Sequence, residues 1–196
     1  MPEPFDFTER MRLLCGDMAA RLPELAHVDM NRVLVCVCQS RKPVRHGIFA
    51  SLTPLRFQGG ATTTLRRGRR VAIQRVVDRA GRDMLYILSF YLPRFQDLVL
   101  REKLITVLHE LWHISPDFSG DIRRHEGRYH AHTHSQAEYD EEMGRLADRW
   151  LAHAPPEALW GFLRHDFGEL SRRHGRIVGL KVRRPRLLPL QHQPDA

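Results

Sequence analysis

The run Leu104-Ile-Thr-Val-Leu-His-Glu-Leu-Trp-His-Ile114 constrains this chain more than any other stretch, because it sets the pattern H-E-x-x-H inside an apolar segment of helical length. At about 3.6 residues per turn, positions four apart share a helix face, so His109 and His113 can aim their imidazoles at one divalent metal ion. Glu110 falls to one side of that pair, where a carboxylate can take a proton from a metal-activated water without itself occupying the metal. Leu104, Ile105, Leu108, Leu111 and Trp112 supply an apolar flank that docks such a helix into a core. A stop follows at once, since Ser115 precedes Pro116 and is steered out of the α region.

A chain of 196 residues is long enough to bury a core without staples, and 42% hydrophobic against 28% charged residues is a globular balance, not a disordered one. We expect a single domain over residues 1–182 and a loosely held tail, rich in Pro and Arg, over 183–196. No apolar run approaches bilayer-crossing length, and Met1-Pro-Glu-Pro-Phe-Asp6 resembles no export signal. The expectation is a cytoplasmic protein with no membrane association. Three cysteines exclude a disulfide scaffold, and Cys36 and Cys38, alternating along a strand-like run, read as small buried hydrophobes. The net charge of +8 is carried almost wholly by arginine, Lys42, Lys103 and Lys181 being the only lysines. Such a balance permits nucleic-acid association through a basic surface, the most basic being the loop or turn cluster with Arg66, Arg67, Arg69 and Arg70.

The periodicities predict an amphipathic helix from Thr8 to about Leu22, with Met11, Leu14, Cys15, Met18 and Leu22 on one stripe. Asn31 to Gln39 reads as a central strand covered on both faces, and Gly47 to Leu52 as a short strand ended by Pro54. Arg70–Val77 and Met84–Leu92 are expected to pair as a hairpin, the second strand reaching Pro93 as a sheet edge able to hold an extended peptide. The H-E-x-x-H helix then starts near Asp97. Farther on, Ser135 and Glu138 form a capping box for a helix that presents Tyr139, Met143, Leu146 and Trp150 on one stripe. A short helix follows Pro155-Pro156, and Ile177–Val182 reads as a last strand.

A catalytic zinc takes three protein ligands and keeps the fourth position for water, so a third donor must come from elsewhere. His125, His130, His132 and His134 lie within ten residues of one another, the last three alternating so that an extended segment would put them on one face.

The block from His109 to His132, H-E-L-W-H-I-S-P-D-F-S-G-D-I-R-R-H-E-G-R-Y-H-A-H, followed by a helix containing Glu138-Tyr139-Asp140, resembles zincin-type metallopeptidases described from phages and prokaryotes. More distantly it is similar to the SprT-like zinc metalloproteases. The resemblance covers about Leu85 to Met143. It implies an α+β, zincin-like fold: an N-terminal helix, a small, mostly antiparallel twisted sheet, the H-E-x-x-H helix, then further C-terminal helices. It also implies His132 as the third metal ligand, with His134 second. SprT-like proteins carry a glycine after that histidine, whereas Thr133 or Ser135 stands here. Glu138 is the carboxylate alternative, as in gluzincin-type sites.

The function these observations imply is zinc-dependent hydrolysis of a peptide bond in a protein or peptide substrate. Zn2+ is held by His109, His113 and His132, with Glu110 as general base and Tyr129 or a spare histidine as a second oxyanion donor. The alternative is a non-proteolytic metal-binding or DNA-associated protein on the same frame. SprT-like proteases act on proteins attached to DNA, so the basic balance is compatible with either.

Overall fold

A computed structural model describes residues 3–40, 47–124 and 136–190, with side chains from residue 139 onward in the last span. Helix α1 (Phe7–Arg21) follows the two-residue strand β1 (Phe5–Asp6), and Asp6 caps it by accepting from the Glu9 amide at 3.0 Å. Its stripe of Phe7, Met11, Leu14, Cys15 and Met18 is buried, and a Pro23–Leu25 turn ends it. The expected helix is therefore present, displaced by one residue.

Strands β2 (Val33–Gln39), β3 (Ala50–Pro54) and β6 (Tyr86–Leu92) form one sheet in the order β2-β6-β3. The β2–β6 pair is parallel and the β3–β6 pair antiparallel. Two expectations are corrected here. The Asn31–Gln39 strand is not central but flanks β6, and the strand ending at Pro93 is the centre of the sheet, not its edge. Burial explains why: β6 is apolar on both faces, placing Tyr86, Leu88, Phe90 and Leu92 in the main core and Ile87 in a smaller one with Cys36, Leu55 and Met84. A strand buried on both faces belongs between neighbours. The edge is β3.

The expected hairpin between 70–77 and 84–92 is likewise not formed as such. Strand β5 (Arg69–Ile73) pairs with β4 (Thr63–Arg66) and with β8 (Leu187–Pro189) in a separate antiparallel sheet, leaving only a bridge between Val77 and Asp83. The half-polar alternation of β5 suits this sheet, which buries Val71, lays Ile73 on the smaller core and leaves Arg69 and Arg70 exposed. The molecule is thus α+β, but among the described residues it has two three-stranded sheets and a two-residue pairing of β1 with β7 (Ile177–Val178) in place of one mostly antiparallel sheet. The predicted last strand is shorter than Ile177–Val182, and the segment expected as a loose tail supplies β8.

Helix α2 (Leu100–Trp112) packs against α3 (Gln136–Ala152) and β3. Its start is later than expected, because Val99 is extended and residues 93–98 form turns, with Asp97 N–H donating to the Pro93 carbonyl. Two short elements follow, α4 (Glu157–Trp160) and a tight turn at Gly161–Arg164, then α5 (Phe167–His174), which sequence periodicity had not revealed. Lys103, 2% exposed, ties α2 to this region by donating from Nζ to the carbonyls of Leu163 (2.8 Å) and His165 (2.9 Å). No helix among the described residues is long and apolar enough to cross a membrane.

Candidate active site

The last turn of α2 carries His109 and Glu110, and His113 is the residue that ends the helix, still in the αR conformation. The helical spacing does what the sequence predicts: the two imidazole centroids are 4.7 Å apart, with ring planes at 77°. A third ring joins them from α3. Tyr139 lies 4.7 Å from His109 edge-on and 6.3 Å from His113, nearly parallel to it. Sequence reading had assigned Tyr139 to the apolar stripe of its helix; the α2–α3 contact that makes it part of the site is long-range. Burial and the neighbouring Glu110 push its phenol well above the usual range, so its O–H stays a donor at physiological pH.

The last carbonyls of a helix have no partner within it and must find one elsewhere. Arg123 provides it. Its amide donates to the His113 carbonyl at 2.7 Å and its Nε to the Trp112 carbonyl at 2.7 Å, while its guanidinium lies 4.3 Å over the Trp112 indole. The loop that returns the chain there is closed by an Ile114–Ile122 bridge and anchored on buried Tyr86, whose O–H donates to the Asp121 carbonyl and accepts from the Gly120 amide. Gly120 has φ +89°, and a Cβ there would meet Arg56 Cγ at 2.6 Å, so only glycine fits. Arg123 and Arg124 are therefore structural, the latter forming a two-point ion pair with Asp121.

Glu110 turns toward β3. Burial raises its carboxyl to about 7, opposed by the Leu52 amide facing it. That contact follows from the sheet register. Tyr91 donates to the Phe49 carbonyl, and antiparallel pairs alternate, so Ser51 and Thr53 also bond inward to β6. Ala50 and Leu52 consequently turn their main-chain groups to the free edge, and among the described residues β3 pairs only with β6. A cavity of about 1040 Å³ opens beside this edge, with His109, Glu110, Ile105, Thr106, Ala50 and Asp140 in its wall. The site therefore has a buried carboxyl and one imidazole in the wall of a hollow, a second imidazole and a tyrosine packed against the first, and a strand edge with no further strand partner among the described residues.

His125, His130, His132, His134 and Tyr129 lie outside the described residues, as do the Ser135 cap and the Glu138 side chain. Among the described residues no group of three His, Cys, Asp or Glu is placed to hold a metal. The donors that are described, two adjacent imidazoles on one helix face, fit zinc in kind and fall one short in number. Compared with known proteins, the chain matches no family model, no curated protein and no solved structure.

Proposed function

We propose that the chain is a zinc-dependent peptidase, a reading carried chiefly by Glu110: a carboxyl raised to about 7 by burial, beside two imidazoles and a strand edge. His109 and His113 hold the metal, with His132 as the third donor and His134 or Glu138 as the alternatives. Tyr139, in the first turn of α3 and against both imidazoles, supports a third donor from the segment just before that helix. Zinc, when bound, polarises a carbonyl and lowers the pKa of water in its open position. Glu110 takes the proton of the attacking water and delivers it to the leaving amine, a task suited to a group that titrates near neutrality. Tyr139 donates its O–H toward the oxygen on which charge develops, taking the place assigned from sequence to Tyr129 or a spare histidine. An extended substrate lies along β3, bonding to the Ala50 amide and carbonyl and the Leu52 carbonyl.

The test pairs metal content with cleavage of an unstructured protein substrate. Wild type is expected to hold about one zinc per chain. His109→Ala loses the metal and the activity together, and Glu110→Gln keeps the metal and loses cleavage. A metal-free wild type, or a fully active Glu110→Gln variant, refutes the reading.

A further inference from the structure

The stretches Gln58–Val77 and Leu170–Pro194 each contain no acidic residue and no Phe, Tyr or Trp. They lie a hundred residues apart, yet folding joins them. Strand β8 pairs with β5 at Ile73↔Leu187 and Val71↔Pro189, and the pairing continues as Gln74 N–H bonds the Arg186 carbonyl and Leu190 N–H the Arg70 carbonyl. The β4–β5–β8 sheet is thus assembled wholly from acid-free segments.

Its cations are set apart less by being unpaired, which exposed Arg10, Arg79, Arg172 and Arg176 also are among the described residues, than by being gathered together. Arg12, Arg21, Arg82, Arg101, Arg145 and Arg149 each hold a carboxylate. Arg66, Arg67, Arg69 and Arg70, all exposed, form no ion pair among the described residues. They cluster at the tip of the β4–β5 hairpin, where a two-residue turn with positive φ at Arg67 (51°) and Gly68 (73°) brings Arg66 opposite Arg69. Lys181, Arg183, Arg184 and Arg186 lead into β8, equally exposed and equally without a carboxylate partner among the described residues. Eight exposed cations, four at the hairpin tip and four leading into β8, are thus gathered at one small sheet.

We propose that this sheet is a binding surface for the phosphate backbone of duplex DNA, separate from the site on α2. Arginine binds phosphate oxygens through a planar fork, and a projecting tip with four of them can straddle a groove and contact both of its backbones. The absence of aromatic side chains decides between anionic partners. Single-stranded nucleic acid is held by stacking on aromatic rings, and interfacial membrane anchors rely on aromatic residues at the headgroup level; this sheet has neither. Leu65, Leu188 and Leu190, exposed between the arginines, are left to meet sugar edges.

The test is fluorescence anisotropy of the full chain on a mixed-sequence duplex of about twenty base pairs, titrated from about 50 to 200 mM salt. Parallel arms use the corresponding single strand and vesicles of phosphatidylserine with phosphatidylcholine. The tip variant combines Arg66→Ser, Arg69→Ser and Arg70→Ser with Arg67→Asn, since asparagine tolerates the left-handed turn. The charge-matched control combines Arg12→Ser, Arg101→Ser, Arg145→Ser and Arg149→Ser. Wild type is expected to prefer the duplex, and the tip variant to bind at least about tenfold more weakly with a salt slope reduced by about 3. The control should stay within about threefold of wild type. Should the tip variant fail to fold by circular dichroism, Arg183→Ser with Arg184→Ser and Arg186→Ser replaces it, with the same loss expected. The proposal falls if no duplex binding is seen, if single strands or vesicles are preferred, or if the control loses as much as the tip variant.

Discussion

Lys103 and Glu110 stand two turns apart on one helix, and each is an ionisable group taken out of water, yet their surroundings differ in kind. Lys103 is enclosed: two carbonyls of the Gly161–Arg164 region receive its Nζ, and burial lowers it to about 8. Glu110 has one main-chain amide on one side and a large hollow on the other, and burial raises it to about 7. A buried charge whose partners are all main-chain groups of a neighbouring element is a fastening. One that faces open space with its donors incomplete is poised for something that is not part of the chain. The same helix thus holds its place with one end and offers chemistry with the other.

This contrast sets the expected outcomes of four experiments. Glu110→Gln should lower peptide hydrolysis by roughly a thousandfold while folding is retained, measured as kcat/KM on a denatured protein substrate. Lys103→Ala should do the reverse, destabilising the fold by about 2–4 kcal/mol in urea titration, from lost packing and two stranded carbonyls, with activity per folded molecule preserved. If the lysine variant loses activity without losing stability, the division of labour is wrong.

The two groups also carry opposite pH signatures in the metal-free protein. Glu110 keeps its proton in the folded chain to about 7 but gives it up near 4.5 when unfolded, so the folded state binds more protons across that window and stability falls as pH rises through it. Lys103 titrates at about 8 when folded and near 10.5 when unfolded, so the folded state binds fewer protons there and stability rises from pH 8 to 10.5. Thermal unfolding of wild type against Glu110→Gln, and against Lys103→Met, should trace these slopes, each worth roughly 2 kcal/mol after allowance for solvent screening. A flat difference across either window contradicts the assignment for that residue. The smallest effect belongs to Tyr139→Phe, which keeps the ring against His109 and should cost about tenfold in kcat and less than about 1 kcal/mol in stability.

The helical half of this comparison could be read from the amino-acid order. The 3.6 period of α1, α2 and α3 and the Ser115-Pro116 stop are local signals, and they suffice to place His109, Glu110 and His113 at one helix end. What faces them could not be read so. That Leu52 presents its amide to Glu110 depends on β3 pairing with the far side of β6, and strand pairing across long separations leaves no mark on periodicity. The misplaced hairpin has the same origin: two strands adjacent in sequence, joined by an Asp-Arg-Ala-Gly-Arg turn, went to different sheets because one was apolar on both faces and the other on one. Tyr139 was visible as an apolar-stripe residue but not as a neighbour of the imidazoles, for that follows from how α3 crosses α2.

The β4–β5–β8 sheet has a consequence for assembly. Its two groups of like charge, Arg66–Arg70 and Lys181–Arg186, are distant along the unfolded chain and are brought together only when β8 docks, so folding here works against Coulomb repulsion that grows as ionic strength falls. The closing of this sheet is therefore tuned by its medium: salt screens the repulsion, and a bound polyanion reverses its sign. In dilute buffer, amide exchange at Leu190 and Gln74, whose protons are held across the β5–β8 seam, should quicken ahead of exchange in β6. The last strand of the fold thus acts as a latch whose tightness is set by the ions around it.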